Sequence, residues 1–211
     1  KELIILKDSI PVRQVYAIRR ELTQWDVVFY DNINSCNSID SRAGASDDDG
    51  VRQVILVTGC QDDEEYDGYN IPYFGYGEDY RGDARYVALD EWAVTDRFLD
   101  TVWARYNGLP LTMFYTSRLT AREITGEDLP KLYELYAYPG MTEFVEPLYE
   151  YEREVEFTKD YIKNMYGFYG YGLWLIFENS TGRLVGRIGL ENRQIDGQTQ
   201  VELGYMVGSP F

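Results

Sequence analysis

The chain has 211 residues, enough for one domain or two small ones, and 45% of them are apolar, as in soluble globular proteins. Its 36 acids against 20 bases give a net charge of −16, which opposes binding to nucleic acid or anionic membrane. There is no histidine, and Cys36 and Cys60 have no metal spacing; this excludes Ser-His and Cys-His nucleophiles, the commonest zinc sites and a disulfide framework.

No apolar run approaches the length of a membrane span and no signal peptide is visible, so a cytoplasmic location is the expectation. The negative charge is compatible with an ammonium-bearing substrate, although solubility alone accounts for it. In chain order, Leu3 to Leu6 reads as a strand, and Pro11 opens a helix with Val15, Ile18 and Leu22 on one face. Val27 to Tyr30 and Val54 to Thr58 are further strands, separated by the polar loop Asn32 to Gly50. Ile71 to Phe74 and Tyr86 to Leu89 are short strand candidates. Thr95 to Tyr106 is a helix with Phe98, Leu99, Val102, Trp103 and Tyr106 on one face and Gly108 as its stop. Strands alternating with helices predict a parallel, Rossmann-like α/β layer for a first domain, residues 1–110.

Asn107-Gly108-Leu109-Pro110 reads as the boundary to a second domain, residues 111–211. Leu111 to Tyr115 is either a linker or a strand added to one of the two domains. A strand over Arg118 to Ile124 leads to Thr125-x-x-Asp128, a capping-box-like helix start, with Leu129, Leu132, Tyr133 and Tyr136 on the following face. Pro130 is late for a first turn, which places the helix start further on. Tyr138 to Tyr151 is a loop, and Val155, Thr158, Ile162 and Met165 mark a second helix. Three apolar runs then follow: Leu173 to Phe177, Leu184 to Leu190 and Val201 to Val207. The turn signals Asn179-Ser180-Thr181-Gly182 and Asp196-Gly197 between them predict an antiparallel meander. The fold class expected overall is α/β, with a mixed α+β second domain.

Trp174 to Phe177, Leu184-Val185-Gly186-Arg187-Ile188-Gly189-Leu190 and Glu202-Leu203-Gly204-Tyr205, with Arg118 to Glu123 upstream, resemble the GNAT N-acetyltransferase superfamily. The branch with ribosomal-protein-alanine acetyltransferases is the one resembled. That family carries a phosphate-binding loop, R/Q-x-x-G-x-G/A, directly after the strand that here ends near Gly208, and the sequence stops at Phe211. Gln194-x-x-Gly197 precedes the strand and has Thr199 where the second glycine belongs. The resemblance therefore implies the N-terminal half of the domain, truncated before the loop. It implies acetyl transfer from acetyl-CoA, without a metal, to a primary amine on a protein N-terminus or a small molecule.

In that reading the backbone of Tyr205-Met206-Val207 pairs with the pantetheine arm, and an N–H of Met206 or Val207 faces the thioester carbonyl. Glu202 is the candidate base. Strand alternation puts it on one face with Gly204 and Met206, and burial in an apolar strand would raise its pKa. Glu191 is the second choice. Phe144, Tyr149, Tyr169 and Trp174 are candidates to line an acceptor cleft between the Tyr138 to Tyr151 loop and the sheet, with core packing the alternative for Trp174. Lacking the loop, the 211 residues alone are expected to bind acetyl-CoA weakly and not to catalyse. Their free sheet edge is expected to invite pairing with a second copy.

Residues Val54 to Thr58, Ile71 to Tyr76 and Ala84 to Val87 resemble the core of haloacid-dehalogenase-type hydrolases. Those enzymes need an Asp-x-Asp pair, whereas Asp8 is followed two positions on by Ile10 and Asp31 by Ile33, so a non-catalytic first domain is expected. A non-enzymatic interaction module, and a phosphohydrolase using Thr58, are the alternative readings.

Overall fold

Alternating apolar runs and amphipathic helices build the first of two compact units, Lys1–Leu109 and Pro110–Phe211. The computed structural model describes residues 1–6, 10–30, 46–47, 50–51, 54–58, 71–143 and 145–211. In the first unit, β1 (Glu2–Leu6), α1 (Val12–Glu21) and β2 (Asp26–Tyr30) are followed by a short antiparallel pair, β3 (Ser46–Asp47) and β4 (Gly50–Val51). Then come β5 (Val54–Thr58), β6 (Tyr73–Tyr76), β7 (Val87–Ala88) and α2 (Asp96–Tyr106). The main sheet has the order β2-β1-β5-β6-β7, and every pairing in it is parallel. Val15, Ile18 and Leu22 of the first helical face are buried, as their spacing requires, against Leu3, Ile5, Ile55 and Val57 of the sheet. Asp8, Asp31, Cys36 and Cys60 lie outside the described residues.

Helix α2 begins where a polar side chain can satisfy its free amides. The Thr95 side chain accepts from the Phe98 amide at 3.1 Å, and Asp96 in the first turn accepts from the Thr23 and Gln24 amides. Leu99, Val102 and Trp103 are buried, whereas Tyr106 at the end of the same stripe is exposed. Thr95→Ala is expected to cost about 1 kcal/mol by removing the cap. An unchanged denaturation midpoint for the first unit would disprove that assignment.

The second unit holds β8 (Thr112–Tyr115), β9 (Leu119–Arg122), α3 (Leu129–Tyr136), α4 (Tyr151–Tyr161), β10 (Leu173–Glu178), β11 (Leu184–Ile195) and β12 (Gln198–Val207). Its five strands lie in the order β12-β11-β10-β9-β8, all antiparallel. The 111–115 segment thus resolves as a strand of this sheet. The meander forms as its turn signals imply, but β11 and β12 run past their apolar cores to the turn itself. Ten residue pairs connect them, from Gly186↔Val207 to Ile195↔Gln198. Asp196 and Gly197 both have positive φ, 52° and 77°, the geometry that matches strand twist in a two-residue hairpin. Backbone pairing therefore extends through polar residues that carry no apolar alternation.

A single 3₁₀ turn, Gly126–Asp128, precedes α3 and settles the position of Pro130. That turn leaves the proline in the first turn of the α-helix proper, where its missing N–H costs nothing. Thr125 and Asp128 form the reciprocal capping box. Helix α4 continues into a π-helical stretch, Ile162–Tyr169, that ends on Gly170 with φ 76°. The core under the sheet gathers Leu129, Leu132 and Leu135 of α3, Tyr166, and Leu175, Phe177 and Leu184 of the strands. No helix among the described residues is long and apolar enough to cross a membrane.

Candidate active site

Between the 145–149 loop, α4 and the β11–β12 ribbon lies a cavity of about 720 Å³, within the range of small-molecule sites. Strand alternation builds its floor. Leu173 of β10 registers with Gly189, Met206 with Arg187, Gly204 with Gly189, and Glu202 with Glu191, so these positions share one face of the sheet. Arg187, Glu191 and Arg193 of β11, and Gly204 and Met206 of β12, line the cavity. Gly189 lies between the first two, and no other residue fits there. A Cβ at that position would collide with the Gly172 carbonyl and the Leu173 Cα. Gly204 keeps the floor open, with Glu191 Oε2 lying 4.0 Å from where its Cβ would stand.

Aromatic residues and one buried acid make the wall. Tyr149 is held from three sides: the buried Glu154 carboxylate accepts its amide at 3.0 Å, Tyr133 donates to its carbonyl at 2.5 Å, and the Arg153 guanidinium lies 3.9 Å over its ring. Tyr161 reaches in from the end of α4, and its hydroxyl accepts the Leu173 amide at 2.6 Å. Burial pushes the Tyr161 phenol above its ordinary pKa, and Glu191 adds to this, while the Leu173 amide and Arg187 act in the opposite sense. The phenol therefore keeps its proton at neutral pH. Beneath it, Tyr166 donates a short hydrogen bond to the Leu173 carbonyl. Arg187 lies in the same region, donating through one terminal nitrogen to the Tyr136 hydroxyl at 3.1 Å. Its Nε is buried without a partner among the described residues.

Glu202 does not lie among the residues lining this cavity. The burial anticipated for it is not found, since its side chain is 52% exposed and pairs with Arg193 Nε at 2.8 Å. The physical reason is position: β12 is the edge strand, and Gln198 to Leu203 in its first half are all exposed. Tyr205 lines the cavity although most of its side chain is exposed, Val207 is exposed outside the lining, and Met206 packs against the core and into the cavity. Tyr149 lines the cavity. Tyr169 is exposed at the end of the π-helical stretch against Phe168 and Tyr171, away from the lining. Trp174 registers with Ile188, one residue out of phase with Leu173; it is absent from the cavity lining and packs against the hydrophobic core of this unit, the alternative role considered for it. Its indole N–H is buried there without a described partner. Phe144 lies outside the described residues.

Arg187, Tyr161 and Glu154 line the cavity without having been among the residues expected there. The first had a signal, a lone charge inside the apolar strand run Leu184 to Leu190. The other two had none, because their arrival at the cavity depends on how α4 lies on the sheet. No group of three His, Cys, Asp or Glu that could hold a metal occurs among the described residues.

Residues 118–211 match the family model of the acetyltransferase (GNAT) domain. The matched stretch, under half of the chain, holds strands β9 to β12, helices α3 and α4 and the cavity. Among solved structures, the chain is similar to a Bordetella pertussis protein assigned to the GNAT family of acetyltransferases (13% identity, TM-score 0.39, 46% of this chain and 60% of that one). It is also similar to an acetyltransferase from Agrobacterium tumefaciens str. C58 (25%, 0.35, 46% and 54%). A third is RimL, a ribosomal L7/L12 alpha-N-protein acetyltransferase, in its apo form (14%, 0.38, 49% and 56%). The chain thus spans 54% to 60% of the length of these proteins. No curated protein matches it.

Proposed function

We propose that this protein is an acetyl-CoA-dependent N-acetyltransferase and that the cavity receives the acceptor amine. The observation that carries the reading is the Glu191 carboxylate, set over Gly204 on the cavity floor within the stretch that matches the GNAT domain. β12 suits an extended pantetheine arm because it is the edge of its sheet, so alternate backbone groups along Tyr205-Met206-Val207 point away from β11. Bound there, acetyl-CoA supplies the acetyl group as a thioester. The chain's own residues then position the amine and handle its proton. Glu191 accepts that proton directly or through one water, the new N–C bond forms, and the C–S bond breaks with the sulfur leaving as the coenzyme A thiolate, which takes the second proton lost by the nitrogen to become the free thiol. The Tyr161 hydroxyl, already accepting from Leu173, has its own proton free to donate into the cavity. A free backbone N–H at Met206 or Val207 supports the charge developing on the carbonyl oxygen. Glu202, beside Glu191 and tied to Arg193, acts through the field it adds rather than at the amine.

Two further parts of the reading go with this. The edge that would take pantetheine is also where a second copy would pair, so the two events are mutually exclusive. The parallel-sheet unit is read as non-catalytic. The test is acetylation of a panel of primary amines and peptide N-termini by the full-length protein, followed by mass spectrometry. A mass gain of one acetyl group that requires acetyl-CoA supports the reading, and its absence across the panel overturns it.

A further inference from the structure

Arg187 is an unusual residue for its place. It sits in the middle strand of the β10–β11–β12 ribbon, on the face that looks into the cavity, directly opposite Met206. Its Nε is buried and unpartnered, and one terminal nitrogen donates to a neutral phenol, Tyr136. No carboxylate among the described residues lies within ion-pair distance of it. The acids that share the cavity are otherwise placed. Glu154 accepts from the Tyr149 amide, and Glu191 lies over Gly204. A guanidinium held in a partly buried site without a counter-ion is costly, and it carries a planar fork of donors that matches a carboxylate.

The chain places a complementary pair along β11. Arg187 and Glu191 are four residues apart on the same face, about 13 Å between Cα atoms at the usual strand rise. Both side chains line the cavity together with the Tyr161 phenol. A small zwitterion fits that spacing, with its amine at the Glu191 end and its anionic end at Arg187. A protein N-terminus would bring the amine but only a neutral carbonyl to Arg187, and would leave the guanidinium uncompensated.

We propose that Arg187 is a specificity residue that binds a carboxylate of the acceptor, so that the acceptor is a free amino acid or a similar small amino-carboxylate. This rests on the cavity being the acceptor site of an acetyltransferase. The test compares each of the twenty α-amino acids and β-alanine with its carboxamide, which keeps the amine and removes the charge. Binding is read by calorimetry on the full-length protein, and turnover by acetylation. At least one amino acid is expected to bind and react at least tenfold better than its amide, the difference lying in Kd and KM. Arg187→Met brings that ratio close to one, and Arg187→Lys restores part of it, because a point charge lacks the fork.

Several outcomes separate this inference from the reading below it. Equal turnover of acid and amide, or turnover of peptide N-termini alone, keeps the acetyltransferase and overturns the carboxylate site. A loss confined to kcat in Arg187→Met, equal for acid and amide, moves Arg187 to the thioester oxygen and likewise overturns it. Arg187-dependent binding of an amino acid without acetylation upholds the carboxylate site and removes the activity. No binding and no turnover of any probe overturns both. The comparison of acid with amide on the unmodified protein decides the matter even where a variant fails to fold.

Discussion

Glu191→Gln is expected to lower kcat for amine acetylation by about two orders of magnitude, the lower end of what a positioned general base contributes. The substitution keeps the shape of a side chain whose Oε2 lies 4.0 Å from the Cβ position over Gly204. What it removes is the ability to take a proton. The amine must lose that proton for its lone pair to reach the carbonyl carbon, and no histidine exists anywhere in the chain to substitute. Glu202→Gln is the control. That residue is half exposed and ion-paired to Arg193, so its removal is expected to change kcat less than tenfold, because a surface pair of this kind contributes little. Rates at saturating amine, measured on the full-length protein with each variant, decide between them. A large loss on Glu202→Gln with little on Glu191→Gln would return the base to β12 and refute the assignment made from the cavity.

The second large effect concerns stability. Asp128 is nearly fully buried, and Arg122 grips it through both terminal nitrogens, at 2.6 and 2.7 Å, from β9. The same carboxylate accepts the Thr125 amide at 2.8 Å and the Thr125 hydroxyl at 2.9 Å. Asp128→Ala strips the charge partner from a guanidinium that is only 25% exposed, and it also removes the capping box. A loss of about 3 kcal/mol is expected for the second unit, the low end for breaking a buried pair, since Arg122 keeps its place 4.4 Å over the Phe177 ring. In urea this corresponds to a midpoint lower by about 2 M at an m-value near 1.5 kcal/mol/M.

The pH dependence follows from the same contacts. Burial acts to raise the Asp128 pKa, but the Arg122 hydrogen bonds, those from Thr125 and the Arg122 charge together hold it below the ordinary value. A depressed folded-state pKa gives stability that is fully present above the unfolded pKa of about 3.9 and lost as pH falls through the lower folded value. The unmodified protein should therefore lose this contribution below about pH 4, and Asp128→Ala should be flatter across that window. Amide exchange in β9 and α3, followed against pH, reads this unit separately from the first. An unchanged acid limb in the variant would show that Asp128 carries none of it.

Much of the second unit was legible because its information is local. Asn179 to Gly182 and Asp196-Gly197 mark turns by their chemistry, and strand residues on either side can pair only as neighbours. The Thr125-x-x-Asp128 spacing marks a helix start for the same reason. The 3₁₀ turn that makes room for Pro130 is also local, yet it has no signature beyond the capping box, so the helix start appeared displaced. The continuation of β11 and β12 to their shared turn was not legible either. Polar residues in a ladder are held by backbone hydrogen bonds, which every residue offers equally.

The sequence by itself determined the charge, the absence of histidine, the order of the strands in the meander and which residues alternate together on each face. Alternation is a property of the pleat, so Arg187, Glu191, Glu202, Gly204 and Met206 share a side of the sheet whatever covers it. What covers it was decided only in three dimensions. α4 and the loop before it enclose Arg187, Glu191 and Met206, whereas Glu202 lies at the free edge, half exposed and paired with Arg193. Two glutamates directly opposite one another in register therefore differ in what they can do, because burial depends on contacts between residues far apart in the chain.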